Sequence, residues 1–346
     1  MAYSTIPKGS LYMNTKIYTG NGSTNAITGI GFAPDWVWFK SRSNTDEHNV
    51  FDKVRGVTKN IEPSTTIAEY TQSNGLTAFD SDGFTVGDFN AGNRSGGNIV
   101  AWNWKANGAG SANTNGSINS TVSVNTTAGF SIVSYTGTGS NATIGHGLGA
   151  APAMVITKRL SAVDDWIVWQ KGLANPASYL YLNGSDGEMG SVPAYQNITP
   201  TSTLLYPGTD GRTNGNGQTY ISYCFAQKQG YSKFGNYKGN SSTDGPFLYT
   251  GFKPAFVILK RTDGGDSWVM LDNKRNEYNP EDKILLADTS GVETTQTQCD
   301  FLSNGFKLRI AGGLANGNGN SHIYMAFAEN PFVATSGSDA IPVTAR

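Results

Sequence analysis

The sequence predicts an all-β protein made of three tandem β-sandwich repeats of jelly-roll type, and three observations predict it. Turn formers dominate the polar residues: glycine occupies 43 of 346 positions, roughly 12% against an average near 7%, while charged residues make up only 15%. No window of about 12 residues shows a sustained 3.6-residue apolar period, and the best helical candidate, Pro63 to Thr71, is short and β-branched. A set of apolar strand patterns recurs three times in the same order.

The repeat is read from three blocks. Residues 31–40, GFAPDWVWFK, recur at 149–158 as GAAPAMVITK and at 251–260 as GFKPAFVILK. At equal distance downstream stand HNVFD (48–52), WIVWQ (166–170) and WVMLD (268–272). Each unit closes on another apolar strand: VAWNW (100–104), ISYCF (221–225) and IYMAF (323–327). A turn running into a strand, Ser81–Val86 in unit one and Ser303–Leu308 in unit three, shrinks to Thr203–Tyr206 in unit two. Pro34, Pro152 and Pro254 lie 118 and 102 residues apart, too far for a solenoid period of about 20 to 50, so the units are domain-sized.

Taken along the chain, residues 1–13 form an N-terminal arm, in which Ile6, Leu11, Tyr12 and Met13 stand among polar neighbours as attachment residues for another subunit or an edge strand of unit one. Unit one spans 14–108, a Gly/Asn/Ser/Thr-rich linker 109–127, unit two 128–229, unit three 233–331 and a C-terminal tail 332–346. The continuous apolar runs after each proline read as central strands buried on both faces, the proline opening the strand where no ladder donor is lost. The composition of the first linker predicts flexibility, whereas the short stretch from Gln227 to Phe234 predicts close packing of units two and three. Three sandwiches strung in this way predict an elongated body.

Composition excludes several functions. Lys+Arg of 25 against Asp+Glu of 26 leaves a net charge of −1 with no basic run, which argues against nucleic-acid binding. Cys224 and Cys299 supply neither a disulfide framework nor, with three histidines, a closed zinc site, and read as buried thiols. No apolar stretch is long enough for membrane insertion, and the first residues lack a signal peptide's charged and apolar regions, so the expectation is a protein not released by ordinary secretion.

Candidate chemistry is sparse. His48 takes the place of Trp166 and Trp268 in the repeat and reads as a packing residue; His146 lies in a Gly-His-Gly turn and His322 beside a closing strand. The carboxylate pairs Asp80/Asp82, Asp164/Asp165 and Asp263/Asp266 could serve glycoside hydrolysis or hold calcium, but their turn-like surroundings favour local backbone bonding. Neither a nucleophile elbow nor a phosphate-binding loop is present. The expectation is a non-enzyme with no catalytic residue, no metal and no cofactor. Most tryptophans fall in repeat strands and read as core, leaving Tyr181, Tyr195, Tyr206 and Tyr231 as candidates for a binding face.

The start Lys8–Asn14 with Gly31–Asp35, together with the unit endings Trp102–Ala106 and Phe327–Phe332, resembles virion surface proteins of tailed bacteriophages, in which repeated concanavalin-like or jelly-roll sandwiches build tail fibres and related appendages. The resemblance rests on the repeat and carries over no active site. It implies a structural or host-attachment role on the virion after assembly in the host cytoplasm, as a homo-oligomer, commonly a homotrimer. Partners would be other virion proteins and a host surface glycan or protein. The alternatives are a capsid decoration or head-fibre protein, a polysaccharide depolymerase and a non-viral lectin-like module.

Overall fold

The computed structural model describes residues 4–190 and 193–331, so the expected tail 332–346 lies outside the described residues. The all-β expectation holds: strands dominate, and the described helices are one turn long. Three inner sheets share one strand order. In unit one, β1 (Met13–Thr19), β2 (Trp36–Ser41), β3 (Asn49–Asp52) and β4 (Asn98–Trp104) assemble as β1-β4-β2-β3. The linker supplies β5 (Ser111–Asn113) and β6 (Ser120–Asn125). In unit two, β7 (Phe130–Thr136), β8 (Met154–Arg159), β9 (Trp166–Gln170) and β10 (Thr219–Phe225) run β7-β10-β8-β9, with β6 and β5 added beyond β7. Unit three repeats the order with β11 (Ser232–Lys238), β12 (Phe252–Arg261), β13 (Val269–Asp272) and β14 (Ser321–Pro331) as β11-β14-β12-β13.

Because side chains alternate along a strand, each inner sheet presents two apolar faces. One packs on the unit's own outer strands: Val37, Phe39 and Ala101 join Ile27, Leu76 and Phe84 in unit one, and Val155, Ile167 and Cys224 join Ile144 and Leu205 in unit two. The other face enters a core common to all units, formed by Trp36, Trp38, Trp102 and Trp104, then Met154, Ile156, Tyr223 and Phe225, then Phe256, Ile258, Met325 and Phe327. Ring contacts link every pair of units: Trp36 stacks on Tyr223 at 4.6 Å, Trp104 meets Phe256 edge-on at 5.6 Å and Phe225 meets Phe327 at 5.9 Å. The elongated body is therefore corrected. Strung in a row, the units would leave apolar faces in water, so they close around one another instead.

Buried polar groups lock this closure in a cyclic pattern. The Nε1–H of Trp166 donates to Glu62 O of unit one at 2.9 Å, and that of Trp268 to Tyr181 O of unit two at 2.8 Å. His48, in the equivalent position, pairs its Nε2 with Leu286 O of unit three at 3.0 Å and accepts Trp38 Nε1–H on Nδ1 at 2.9 Å, which sets the Nε2–H tautomer. A second ring uses the last residue of the same block. Tyr223 donates to Asp52 at 2.8 Å, Trp102 to Asp272 at 3.0 Å, and Gln170 to Tyr324 O at 3.4 Å. Both aspartates hold an arginine three residues on, Arg55 at 2.5 Å and Arg275 at 2.6 Å, while unit two has Gln170 and Leu173 there and so replaces the whole ion pair.

The repeated lysines lie inside. Lys40, Lys158 and Lys260 are fully buried, and burial lowers each to about 8. Lys158 donates to Thr66 O of unit one at 2.9 Å and Lys260 to Ser185 O of unit two at 2.7 Å, again across units.

Each unit also has a one-turn helix ending in a buried asparagine: α1 (Asn90–Asn93), α2 (Gly211–Asn214) and α3 (Gly313–Asn316). Asn316 accepts Asn240 N–H at 2.8 Å and donates to Ser242 O at 2.9 Å and Ile310 O at 2.7 Å. Asn214 does the same with Thr138, Ser140 and Gly208, and Asn93 with Asn21, Ser23 and Gly87. Tyr18, Tyr135 and Tyr237 donate to the helices' Gly92, Thr213 and Ala315 carbonyls at 2.7, 2.7 and 2.8 Å.

The first linker, expected to be flexible, is tied down. Just ahead of it, Asp35 accepts the N–H groups of Ala106 and Gly108 at 2.7 and 3.1 Å, and within it β6 pairs with β7 along six residues. Gly116 has φ +94°, and a Cβ there would sit 2.5 Å from Thr143 O, so glycine serves close approach at that position rather than looseness.

Candidate binding clefts between the units

Two clefts open on the surface where one unit meets the next, at matching places in the repeat. The first, about 420 Å³, lies between Gly172 and Ala174, just after β9, and Asn236, Tyr237 and Lys238 of β11. Glu188, Thr262, Ser321 and His322 complete its wall. The second, about 480 Å³, lies between Asn273, Lys274, Glu277 and Tyr278, after β13, and Ile17 of β1, and adjoins a polar hollow of about 330 Å³ lined by Lys8, Ser10 and Asn14. Both thus join the turn after the repeat's second block to the next unit's opening strand.

His322 stacks on Tyr237 at 4.8 Å and its Nδ1 meets Asn320 O at 3.1 Å; burial lowers its basicity. The same place in unit two holds Tyr220 stacked on Tyr135 at 5.1 Å, so the pair is part of the repeat's framework. His146 is also buried, between Thr201 O and Leu148 N–H.

The carboxylate pairs are bound locally. Asp82 accepts the N–H groups of Gly29 and Gly31 at 3.0 and 2.6 Å, which lowers its pKa, and Asp80 accepts Thr85 Oγ1–H at 2.8 Å. Asp164 accepts from Arg159 at 3.3 Å and Asp165 from Asn183 at 2.9 Å. Asp263 and Asp266 share Arg261, at 2.8 and 3.2 Å. Among the described residues no cluster of three His, Cys, Asp or Glu side chains is placed to hold a metal.

The expected binding tyrosines do not form one face. Tyr231 is fully buried, meeting Phe327 at 5.5 Å, and Tyr195 is 7% exposed in the unit-two core, so neither presents a surface. The irregular sequence around both gives no sign of the packing that covers them. Tyr181 is half-buried, its hydroxyl bonded by Arg212, and Tyr206 is half-buried. The arm residues are likewise drawn inward. Ile6 and Met13 are 1% exposed in the common core, and half-buried Tyr12 meets Tyr231 at 6.0 Å. Leu11 ends a half-buried turn that runs from Gly9, where a Cβ would strike Ala328 O. These residues therefore dock on their own chain, because the common core supplies the apolar surface expected of another subunit.

The asparagine pins escaped the sequence reading although a signal was present: Asn93, Asn214 and Asn316 each precede by three residues a glycine of positive φ, Gly96, Gly217 and Gly319.

A family profile described as "Domain of unknown function (DUF7483)" matches residues 8–331, across all three units at once. The chain belongs to the DUF7483 family. No curated protein and no solved structure matches it. The family's span, like the common core, runs through all three inner sheets, from Lys8 to the end of β14.

Proposed function

We propose that the chain is a non-enzymatic structural protein of a bacteriophage virion, a tail fibre or a fibre adaptor that serves particle assembly and host-surface attachment. The observation that carries this reading is where the polar side chains are spent. Histidines, repeated lysines, pinning asparagines and turn carboxylates hold backbone in place within and between units, which suits a rigid building block. The resemblance of the repeat to virion appendage proteins points the same way. On this reading each unit is a jelly-roll or concanavalin-like sandwich, its inner sheet packed on its outer strands, and the assembled form is a homo-oligomer, with a trimer as the leading case.

Mass spectrometry of purified virions and immunogold labelling test it. Label on the tail supports the reading; label on the head favours a capsid decoration or head-fibre protein; absence from virions overturns it. Light scattering on the purified chain tests the oligomer, and a clean monomer at micromolar concentration would exclude a stable trimer.

A further inference from the structure

The opening strand of each inner sheet has the closing strand on one side only. Gly20, Gly137 and Gly239 donate to Gly97 O, Gln218 O and Asn320 O at 2.8, 2.8 and 2.9 Å, which fixes the phase of that pairing. Alternate residues of an antiparallel strand bond to opposite sides. Hence Ile132 and Ser134 of β7, and their equivalents Thr15 and Ile17 of β1 and Phe234 and Asn236 of β11, turn their backbone N–H and C=O groups away from the closing strand. In unit two these groups meet β6, with Ser123 opposite Ile132 and Thr121 opposite Ser134. In units one and three no strand among the described residues pairs there.

The β11 edge is the better furnished of the two. Asn236 and Lys238 are exposed on it, and the 420 Å³ cleft runs alongside. Lys238 lines it, and Lys171, next to the lining residue Gly172, feels the charge of Lys233 on β11, whereas the lysines that form ion pairs among the described residues are Lys53, Lys253, Lys283 and Lys307. Lys171 instead donates to Gln227 at 2.8 Å; burial and the charge of Lys233 both lower its pKa. The cleft's one lining carboxylate, Glu188, already accepts Ala174 N–H at 2.8 Å.

We propose that the β11 edge and its cleft form a docking site for an extended, acidic peptide segment of a partner protein, which adds antiparallel to β11 as β6 adds to β7. The inference stands on this geometry and not on the virion reading. Phe234 is buried, so the open part of the edge is its Asn236–Lys238 end; outward N–H and C=O groups there are matched by another peptide backbone, with side-chain charge setting the choice of strand. Pairing of two β11 edges from separate copies would set lysines against lysines, which disfavours a second copy as the occupant.

The test uses the full chain and a fluorescein-labelled peptide of sequence 120–125, STVSVN, flanked by two glutamates at each end. Anisotropy should show saturable binding that weakens at least about tenfold between low and moderate salt. Asn236→Pro removes an outward donor without touching the bonds to β14 and should weaken binding by about tenfold. The surface variant Lys233→Glu/Lys238→Glu should do the same and guards against misfolding of the proline variant. Absence of binding at about millimolar peptide overturns the proposal. So does binding that survives both variants. Polygalacturonate that binds the wild type and Asn236→Pro equally, where the peptide binds neither, would assign the lysines to an acidic polysaccharide and overturn it too.

Discussion

At the scale of single residues, the repeat assigns each polar side chain one bonding task. Asn316, itself buried, makes four side-chain hydrogen bonds, to the N–H and Oδ1 of Asn240, Ser242 O and Ile310 O, that tie two loops to α3. Asn316→Ala leaves one N–H and two carbonyls without partners, each costing about 1 kcal/mol or more, so a loss of about 3 kcal/mol is expected in urea unfolding. His48 is held neutral by burial and by the charge of Lys40, well below the usual imidazole range. The unfolded chain takes up that proton near pH 6.5. The contribution of His48 is therefore complete above that pH and is lost as pH falls below it, at up to about 1.4 kcal/mol per pH unit. His146 and His322 are also lowered by burial and add to the slope. His48→Gln, which can donate to Leu286 O and accept from Trp38, should reduce the fall in stability between about pH 6.5 and pH 5 by about one proton's share, measured by denaturant titration at each pH.

At the scale of elements, the ends of β3, β9 and β13 show two solutions to one packing problem. Asp52 with Arg55 and Asp272 with Arg275 are buried ion pairs, and Gln170 with Leu173 fills the same place without charge. Breaking such a pair on one side strands a buried charge at about 3 to 5 kcal/mol, whereas replacing both partners is often nearly neutral. Arg275→Leu alone should cost about that much, and adding Asp272→Gln should recover at least about 2 kcal/mol, a coupling read from a double-mutant cycle of chemical melts. The single variant also frees one carboxylate contact of Glu293, which keeps Arg42 at 2.8 Å. Equal loss in the single and double variants would show that the arginine matters through its bond to Met270 O instead.

For the whole molecule, the common core makes the units interdependent. An excised unit three would bare Phe256, Ile258, Met325 and Phe327 to water, an apolar face that costs on the order of 10 kcal/mol. The full chain should therefore melt in a single calorimetric transition, with van't Hoff and calorimetric enthalpies agreeing, and residues 230–331 alone should not fold. Three separable transitions would show that the units are independent domains joined in a row.

Much of this was legible in the chain. The triplicated strand blocks, the prolines that open them and the place of His48 among tryptophans are local patterns. A two-residue alternation reports which side chains share a face, whatever covers that face. The asparagine pins were present as a spacing but carry no apolar signal, so their weight appears only where their bonds do. What the pattern cannot carry is the identity of the covering surface. Apolar inner faces admit a partner subunit or a neighbouring unit equally, and only the tertiary structure decided for the neighbour, drawing Ile6, Met13 and Tyr231 into one core. The glycine-rich linker shows the same limit: its composition permits looseness, and the carboxylate of Asp35, distant in sequence, together with the free edge of the adjoining β7 is what fixes it. Sequence determined the parts and their order, because those depend on neighbours in the chain; closure depended on contacts more than a hundred residues apart, such as Tyr223 with Asp52 and Trp102 with Asp272.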